Sequence, residues 1–135
     1  MNKPKRCSSS GFSSPEQTED VARQQIAKNS ADHTKQEQQA LELISRKEFN
    51  EAENIYREII ESGSKSHIAY SNLAILLQMK GDSKNAITYL KKAIQLEPNF
   101  PDAHNNMGTV LKQQGELSAA IASYKTALKL KPNFP

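Results

Sequence analysis

Apolar side chains recur at intervals of three and four residues through most of the chain after residue 35. Two such sets are Leu73, Leu76 and Leu77, and Ala86, Leu90 and Ala93. This spacing is typical of one face of an α-helix, whereas a half-buried strand would alternate at every second residue. We therefore predict helices near 35–46, 49–61, 67–80, 83–96, 101–114 and 117–130.

The same pattern repeats at a fixed offset of 34 residues. Residues 68–101 align without a gap with residues 102–135, and 13 of the aligned positions are identical. A weaker copy of the unit covers residues 34–66, with Lys47 in place of glycine and Ser64 in place of proline. Self-similarity at such a period is typical of stacked helical repeats, so the predicted units are 34–66, 67–100 and 101–135.

Glycine and proline mark the turns between the predicted helices. Gly81 and Gly115 stand where a positive φ angle would end the first helix of each unit. Pro98 stops the second helix because it lacks the amide hydrogen that a continuing helix uses. Asn99 is then expected to cap the next helix, with Pro101 in its first turn.

Residues 1–33 are expected to form a disordered tail. Their only large apolar residues are Met1, Phe12, Val21 and Ile26, too few to offset a backbone ordering cost of about 1–2 kcal/mol per residue. A serine followed by Pro15 is a typical helix start, so a transient helix is expected over residues 15–28.

Composition argues against a membrane protein and against secretion. The longest purely apolar run covers residues 73–77, whereas a membrane helix needs about 20 residues. The basic residues near the N-terminus are followed by serines rather than by the apolar core of a signal peptide. The single cysteine, Cys7, fits a reducing compartment. We therefore expect a cytoplasmic protein.

Charge and motif content give little support for nucleic-acid binding or catalysis. The chain has 18 basic and 15 acidic residues, and no segment looks strongly single-signed. His33, His67 and His104 never fall in a metal-ligand spacing. No phosphate loop or nucleophile motif is present. We expect no enzyme activity, no catalytic residue, no metal and no cofactor, and nucleic acid as a partner is disfavoured.

The units resemble the tetratricopeptide repeat. The matching positions in the second unit are Leu73, Ala74, Leu77, Ala86, Leu90, Ala93 and Pro98, and the third unit matches similarly. The resemblance implies an all-α fold, a right-handed superhelical solenoid of three helix-turn-helix repeats whose first helices line a concave groove. Small residues such as Ala86, Ala120 and Gly108 would let neighbouring helices approach closely.

The resemblance also implies which residues face the groove. The candidate peptide-binding residues are Ser71, Asn72, Ile75, Gln78, Asn105, Asn106, Thr109 and Lys112, and further groove positions are Ile68, Met79, Asp102 and Gln113. Asn72 and Asn106 are equivalent, and paired amides can bind the backbone of an extended peptide. The alternative is that both amides pack between helices. Lys112 is the only basic groove residue, which disfavours acidic chaperone C-termini.

The leading hypothesis is a non-enzymatic scaffold that binds a peptide or a partner helix in this groove. The later repeats resemble those preceding the catalytic domain of O-linked N-acetylglucosamine transferases, so the alternative is a targeting fragment of a longer modifying enzyme. RNA binding is a third and weaker hypothesis. Ile121, Tyr124 and Leu128 would have no following helix to cover them, which predicts self-association, docking on a partner or a longer array.

Overall fold

A computed structural model describes residues 15–131, without the side chains of Pro15 and of residues 26–31. This range contains six α-helices and no strand, which confirms the all-α prediction. The helices are α1 (Pro15–Ser45), α2 (Phe49–Glu61), α3 (His67–Met79), α4 (Ser83–Leu96), α5 (Pro101–Gln113) and α6 (Leu117–Leu130). Pro132 and residues 1–14 of the expected tail lie outside the described residues.

The chain divides into two compact units, residues 1–34 and residues 35–135. In the first unit, the described residues are helical and largely exposed. Arg23 lies 3.8 Å from both Glu19 and Asp20. Exposed ion pairs of this kind contribute little to stability. Because the described side chains of this unit are largely exposed, they form no core.

Helix α1 is longer than the sequence pattern predicted. We expected a transient helix over 15–28 and a separate helix over 35–46, whereas α1 runs without a break from Pro15 to Ser45. Residues 15–33, expected to be disordered, are therefore helical in this structure. No glycine or proline occurs between residues 16 and 45, so nothing in the backbone chemistry interrupts the helix.

The second unit is built from helical hairpins that share one type of turn. Gly81 and Gly115 have φ angles of 87° and 82°, as predicted, and Lys47 has 64° at the equivalent position. The same backbone bond closes all three turns: Glu48 N to Leu43 O at 2.8 Å, Asp82 N to Leu77 O at 2.8 Å, and Glu116 N to Leu111 O at 2.9 Å. The turn is thus conserved in shape even where a lysine replaces glycine.

The prediction that Asn99 caps α5 is wrong. Pro101 is the first helical residue, so the cap position falls on Phe100, which makes no side-chain cap hydrogen bond. Asn99 lies one residue earlier, and its backbone N–H donates to the carboxylate of Glu97 at 3.1 Å. The ring of Phe100 instead packs edge-on against His67, with centroids 4.7 Å apart. This contact joins the start of α5 to the start of α3.

The core of the second unit lies between the two helices of each hairpin and between successive hairpins. Its largest fully buried side chains are Tyr56, Ile59, Leu73, Leu90 and Val110. The predicted small residues are buried among them: Ala86, Ala93, Gly108, Ala120 and Ala127. A Cβ added at Gly108 would lie 2.9 Å from the ring of Tyr124, which confirms that the absence of a side chain permits close helix approach there.

Helix α6 has an uncovered apolar face. Leu117, Ile121 and Leu128 are 59%, 53% and 49% exposed. The α4 equivalents of the last two, Ile87 and Ile94, are partly buried because α5 packs against α4. Exposure of Ile121 and Leu128 agrees with the prediction, whereas Tyr124 turns inward over Gly108 and is partly buried.

Candidate peptide-binding groove

The predicted groove residues lie on two first helices that pack against each other. Helix α3 carries Ser71, Asn72, Ile75 and Gln78, and α5 carries Asn105, Asn106, Thr109 and Lys112. Lys112 is exposed, Ser71 is buried and the other six are partly buried. Ser71 therefore belongs to the contact between the two helices, and the remaining residues retain some accessible surface.

The two equivalent asparagines both make hydrogen bonds between helices. Asn72 Nδ2 donates to Tyr56 Oη at 3.0 Å, which joins α3 to α2. Asn106 Nδ2 donates to Ser71 Oγ at 3.4 Å, which joins α5 to α3. Each bond uses one of the two N–H donors of the amide. The helix-packing interpretation of these amides thus has direct structural support, and binding of a peptide backbone by them stays a prediction.

Burial controls the ionisation of the Tyr56 phenol, the partner of Asn72. Loss of solvent raises the pKa of Tyr56 above 10.0, the bond from Asn72 lowers it, and the nearby Glu37 carboxylate raises it further. The phenol is therefore neutral at physiological pH and can keep its proton while it accepts from Asn72. This hydrogen bond is a structural link at the end of the groove nearest α1.

Thr109 makes the corresponding link in the last hairpin. Its hydroxyl donates to the carbonyl of Asn105 at 3.1 Å and lies 3.0 Å from Tyr124 Oη. Either hydroxyl can be the donor in the second contact. Thr109 thus fixes the position of Tyr124, and the hydroxyl is committed to holding α5 against α6.

Exposed apolar side chains also lie on the first helices. Leu41, Ile68 and Met79 are 51%, 43% and 58% exposed. The sequence placed Ile68 and Met79 at groove positions but missed Leu41. Its signal was the repeat itself, since Leu41 precedes Ile75 by 34 residues. Ile68 and Met79 stand near opposite ends of α3, on the same side of the helix as Ile75.

Helices α3 and α5 carry almost no charge. Helix α3 contains no Asp, Glu, Lys or Arg, and α5 contains only Asp102 and Lys112, which have opposite signs. Electrostatic steering toward this face is therefore weak for both acidic and basic ligands. Selectivity would have to come from the shape and the apolar surface of the ligand.

An ion cluster around the buried Glu53, missed in the sequence, fixes α2 to the end of α3. The buried carboxylate of Glu53 accepts from Arg57 at 2.9 and 3.1 Å and contacts Lys80 Nζ at 2.5 Å. Burial alone would raise the pKa of Glu53, but hydrogen bonds from Lys80 and Arg57 hold it below its ordinary value of 4.5. The spacing of four between Glu53 and Arg57 was a signal, whereas Lys80 is too distant in sequence to be assigned.

The described residues include no candidate metal centre. Within 15–131, no group of three or more His, Cys, Asp or Glu side chains could hold a metal ion. No helix in that range is long and apolar enough to cross a membrane. His104 Nε2 lies 2.9 Å from the carbonyl of Pro98, and His67 packs on Phe100. Both histidines therefore have structural contacts.

Comparison with protein families identifies the repeat unit. Residues 101–134 match a family model described as tetratricopeptide repeat, and residues 79–115 match one described as TPR repeat. The chain contains tetratricopeptide repeats. No curated protein matches it in sequence. Its later repeats' resemblance to O-linked N-acetylglucosamine transferases stays a prediction, because neither match is specific to that enzyme.

Solved structures of tetratricopeptide repeats share the fold. The first TPR of Spaghetti (RPAP3), bound to the HSP90 peptide SRMEEVD, is 17% identical with a TM-score of 0.72, over 76% of this chain and 81% of that chain. The second TPR of Spaghetti, with the same peptide, is 19% identical with a TM-score of 0.75, over 83% and 99%. The Sgt2 TPR domain from Aspergillus fumigatus is 19% identical with a TM-score of 0.70, over 76% and 68%.

Proposed function

We propose that this chain is a non-enzymatic interaction module that binds a peptide or partner helix on its first helices. The observation that carries the proposal is the exposed apolar surface of Ile68 and Met79 on the uncharged helix α3, with Leu41 exposed on α1. The proposal also draws on the peptide-bound tetratricopeptide repeats of Spaghetti, which have the same fold. A cytoplasmic location is part of the proposal.

The ligand that fits this face best is an amphipathic helix with an apolar stripe. Such a helix can place side chains at positions i, i+3, i+4 and i+7 against exposed aliphatic residues. An acidic peptide such as SRMEEVD fits less well, because Lys112 is the only basic residue among the predicted groove positions and Asp102 opposes it. We therefore propose a ligand recognised through apolar contacts.

The test uses a fluorescent amphipathic peptide with leucines at helical spacing and uncharged polar residues elsewhere. Leu41→Glu and Met79→Glu should each weaken binding about tenfold or more, since a charge is placed against apolar ligand surface. Ile121→Glu on α6 is the matched control, because Ile121 is an equally exposed aliphatic residue on a second helix. Equal loss in the control, or no loss in the two groove variants, would overturn the proposal.

Self-association is a second candidate role, favoured by the exposed Leu117, Ile121 and Leu128 on α6. Burying these side chains against a second copy would remove apolar surface from water. Light scattering across a dilution series should show a mass that falls with dilution, and Ile121→Lys should give a monomer at every concentration. A wild-type chain that is monomeric throughout would exclude this role.

A further inference from the structure

A second concave surface lies between α2 and α4, and we name it the tyrosine pocket. It has a volume of about 460 Å³ and opens to solvent. Its lining residues are Ile60 from α2, Tyr70 from α3, and Thr88, Tyr89, Lys91, Lys92 and Gln95 from α4. None of these belongs to the predicted groove positions. The lining surface is mainly apolar, with polar groups at a few points, as in sites that receive a side chain.

Two tyrosine rings and a hydrogen bond give the pocket its shape. The rings of Tyr70 and Tyr89 are tilted by 39°, with centroids 6.2 Å apart. Arg57 Nη1 donates to Tyr89 Oη at 3.5 Å from the neighbouring helix. Arg57 is itself fixed by Glu53, which is also bound to Lys80. The position of Tyr89 is therefore supported by a charged cluster that retains an excess of one positive charge.

The charged residues that line the pocket are both lysines, although α2, which contributes Ile60, also carries Glu58 and Glu61. Helix α4 carries Lys84, Lys91 and Lys92 and no acidic residue, and two of these lysines line the pocket. Helix α6 likewise carries Lys125 and Lys129 without an acidic residue. The charge totals of whole sequence segments do not reveal these lysine-only helices, because each segment also contains acidic residues outside α4 and α6. Carboxylates of a ligand would meet favourable charge here.

The residues that form the pocket do not recur in the following repeat. At the equivalent positions 34 residues later, His104 replaces Tyr70 and Ser123 replaces Tyr89. His104 is engaged with the carbonyl of Pro98. The next unit therefore keeps the lysine equivalent to Lys91 but lacks both aromatic walls. This internal difference provides a matched control within the same chain.

We propose that the tyrosine pocket is a docking site for an acidic peptide segment that carries one aromatic or large aliphatic residue. The apolar side chain packs against Ile60 and against the rings of Tyr70 and Tyr89. Flanking carboxylates pair with Lys91 and Lys92, whose ammonium groups are exposed at the pocket. Aromatic packing gives the anchor its specificity, and the lysines raise the association rate.

The test is fluorescence anisotropy with a short synthetic peptide of glutamates around one central phenylalanine. We expect saturable binding by the full chain. Replacing the central phenylalanine by alanine should weaken binding about tenfold or more, because the apolar anchor is lost. Raising the salt concentration should also weaken binding, because the lysines are exposed. Absence of binding, or equal affinity for the alanine peptide, would overturn the proposal.

Matched variants locate the binding surface. Lys91→Glu and Lys125→Glu change the net charge equally and occupy equivalent exposed positions in successive units. Only Lys91→Glu should weaken binding about tenfold. In the same way, Thr88→Trp should fill the pocket and abolish binding, whereas Ala122→Trp at the equivalent position should not. Circular dichroism confirms that each variant is folded.

Two further outcomes would contradict the proposal. Equal weakening by Lys91→Glu and Lys125→Glu would indicate general attraction to the basic helices. Stronger binding to single-stranded DNA or to anionic phosphatidylserine vesicles than to the phenylalanine peptide would indicate another class of partner. The groove is tested with the leucine peptide and the tyrosine pocket with the acidic peptide, so failure of the groove proposal and failure of this one give different results.

Discussion

The first helices and the second helices of the last two repeats present chemically different surfaces. We name these the first-helix face (α3 and α5) and the second-helix face (α4 and α6). The first-helix face has no net charge and exposes Ile68 and Met79, whereas every charged residue of α4 and α6 is a lysine. Both repeats have the same spacing and the same turns. The positions that are identical in the two repeats therefore maintain the scaffold, and the positions that vary determine the charge and the exposed side chains of each face.

The largest expected effect lies in the core that both faces share. Leu90 is fully buried in α4, so Leu90→Ala should lower the free energy of unfolding by about 2–5 kcal/mol. Leu128→Ala on the uncovered side of α6 should cost less than about 1 kcal/mol, because about half of that side chain is already exposed. Urea denaturation measures both. Similar losses of unfolding free energy in the two variants would mean that another surface covers Leu128 in solution.

The contact between Gly108 and Tyr124 joins the two faces in the last repeat. Gly108→Ala should lower the free energy of unfolding by about 1–2 kcal/mol. Crowding of the new methyl group against the Tyr124 ring outweighs the gain of about 1 kcal/mol in helix propensity. The preceding repeat has Ala74 and Leu90 at these positions. The double variant Gly108→Ala with Tyr124→Leu should therefore recover part of the lost stability. A single variant that is more stable than the wild type would contradict the close contact.

The Glu53 cluster joins the faces at the other end and should make stability depend on pH. Because the pKa of Glu53 is lowered on folding, its contribution is complete above about pH 4.5 and is lost as the pH falls through the folded value. Glu53→Gln should cost about 1–2 kcal/mol at pH 7, a modest value since both cations are partly solvated. The variant should also show a weaker pH dependence below pH 4.5. If the stability of the variant fell below pH 4.5 as steeply as that of the wild type, Glu53 would not be the source of the pH dependence.

The smallest expected effect is at the turn of the first repeat. Lys47 adopts the left-handed conformation that glycine adopts in the two later turns. Lys47→Gly should therefore stabilise by about 1 kcal/mol, because the side chain no longer opposes the required φ angle. Gly81→Ala should destabilise by a similar amount, and thermal unfolding measures both changes. Destabilisation by Lys47→Gly would show that the lysine side chain makes a compensating contact.

Local sequence signals were sufficient to predict most of the scaffold. The repeat period placed α2 and α4 at their observed bounds, and the glycine turns have the expected φ angles. The continuity of α1 does not follow from the apolar pattern, because the low apolar content of residues 15–33 favours disorder, although no glycine or proline breaks the helix. The side-chain cap of α4 by Asp82, which accepts from the backbone of Asn85 at 3.3 Å, was also overlooked.

The candidate sites were harder to predict because they depend on contacts between distant residues. Asn72 and Asn106 were assigned to the groove from their repeat positions, but their partners Tyr56 and Ser71 appear only when the helices are packed. The tyrosine pocket likewise requires α2 to lie beside α4. No spacing rule along one helix brings Arg57 to Tyr89, which is 32 residues away.

The most direct test of binding in the groove is a backbone amide NMR titration of the full chain with the amphipathic leucine peptide. Binding there predicts chemical-shift changes concentrated on the first-helix face, at residues such as Ile75, Gln78 and Thr109, with α4 and α6 largely unaffected. Changes confined to the second-helix face, or none at saturating peptide, would contradict the assignment of the groove as the binding surface.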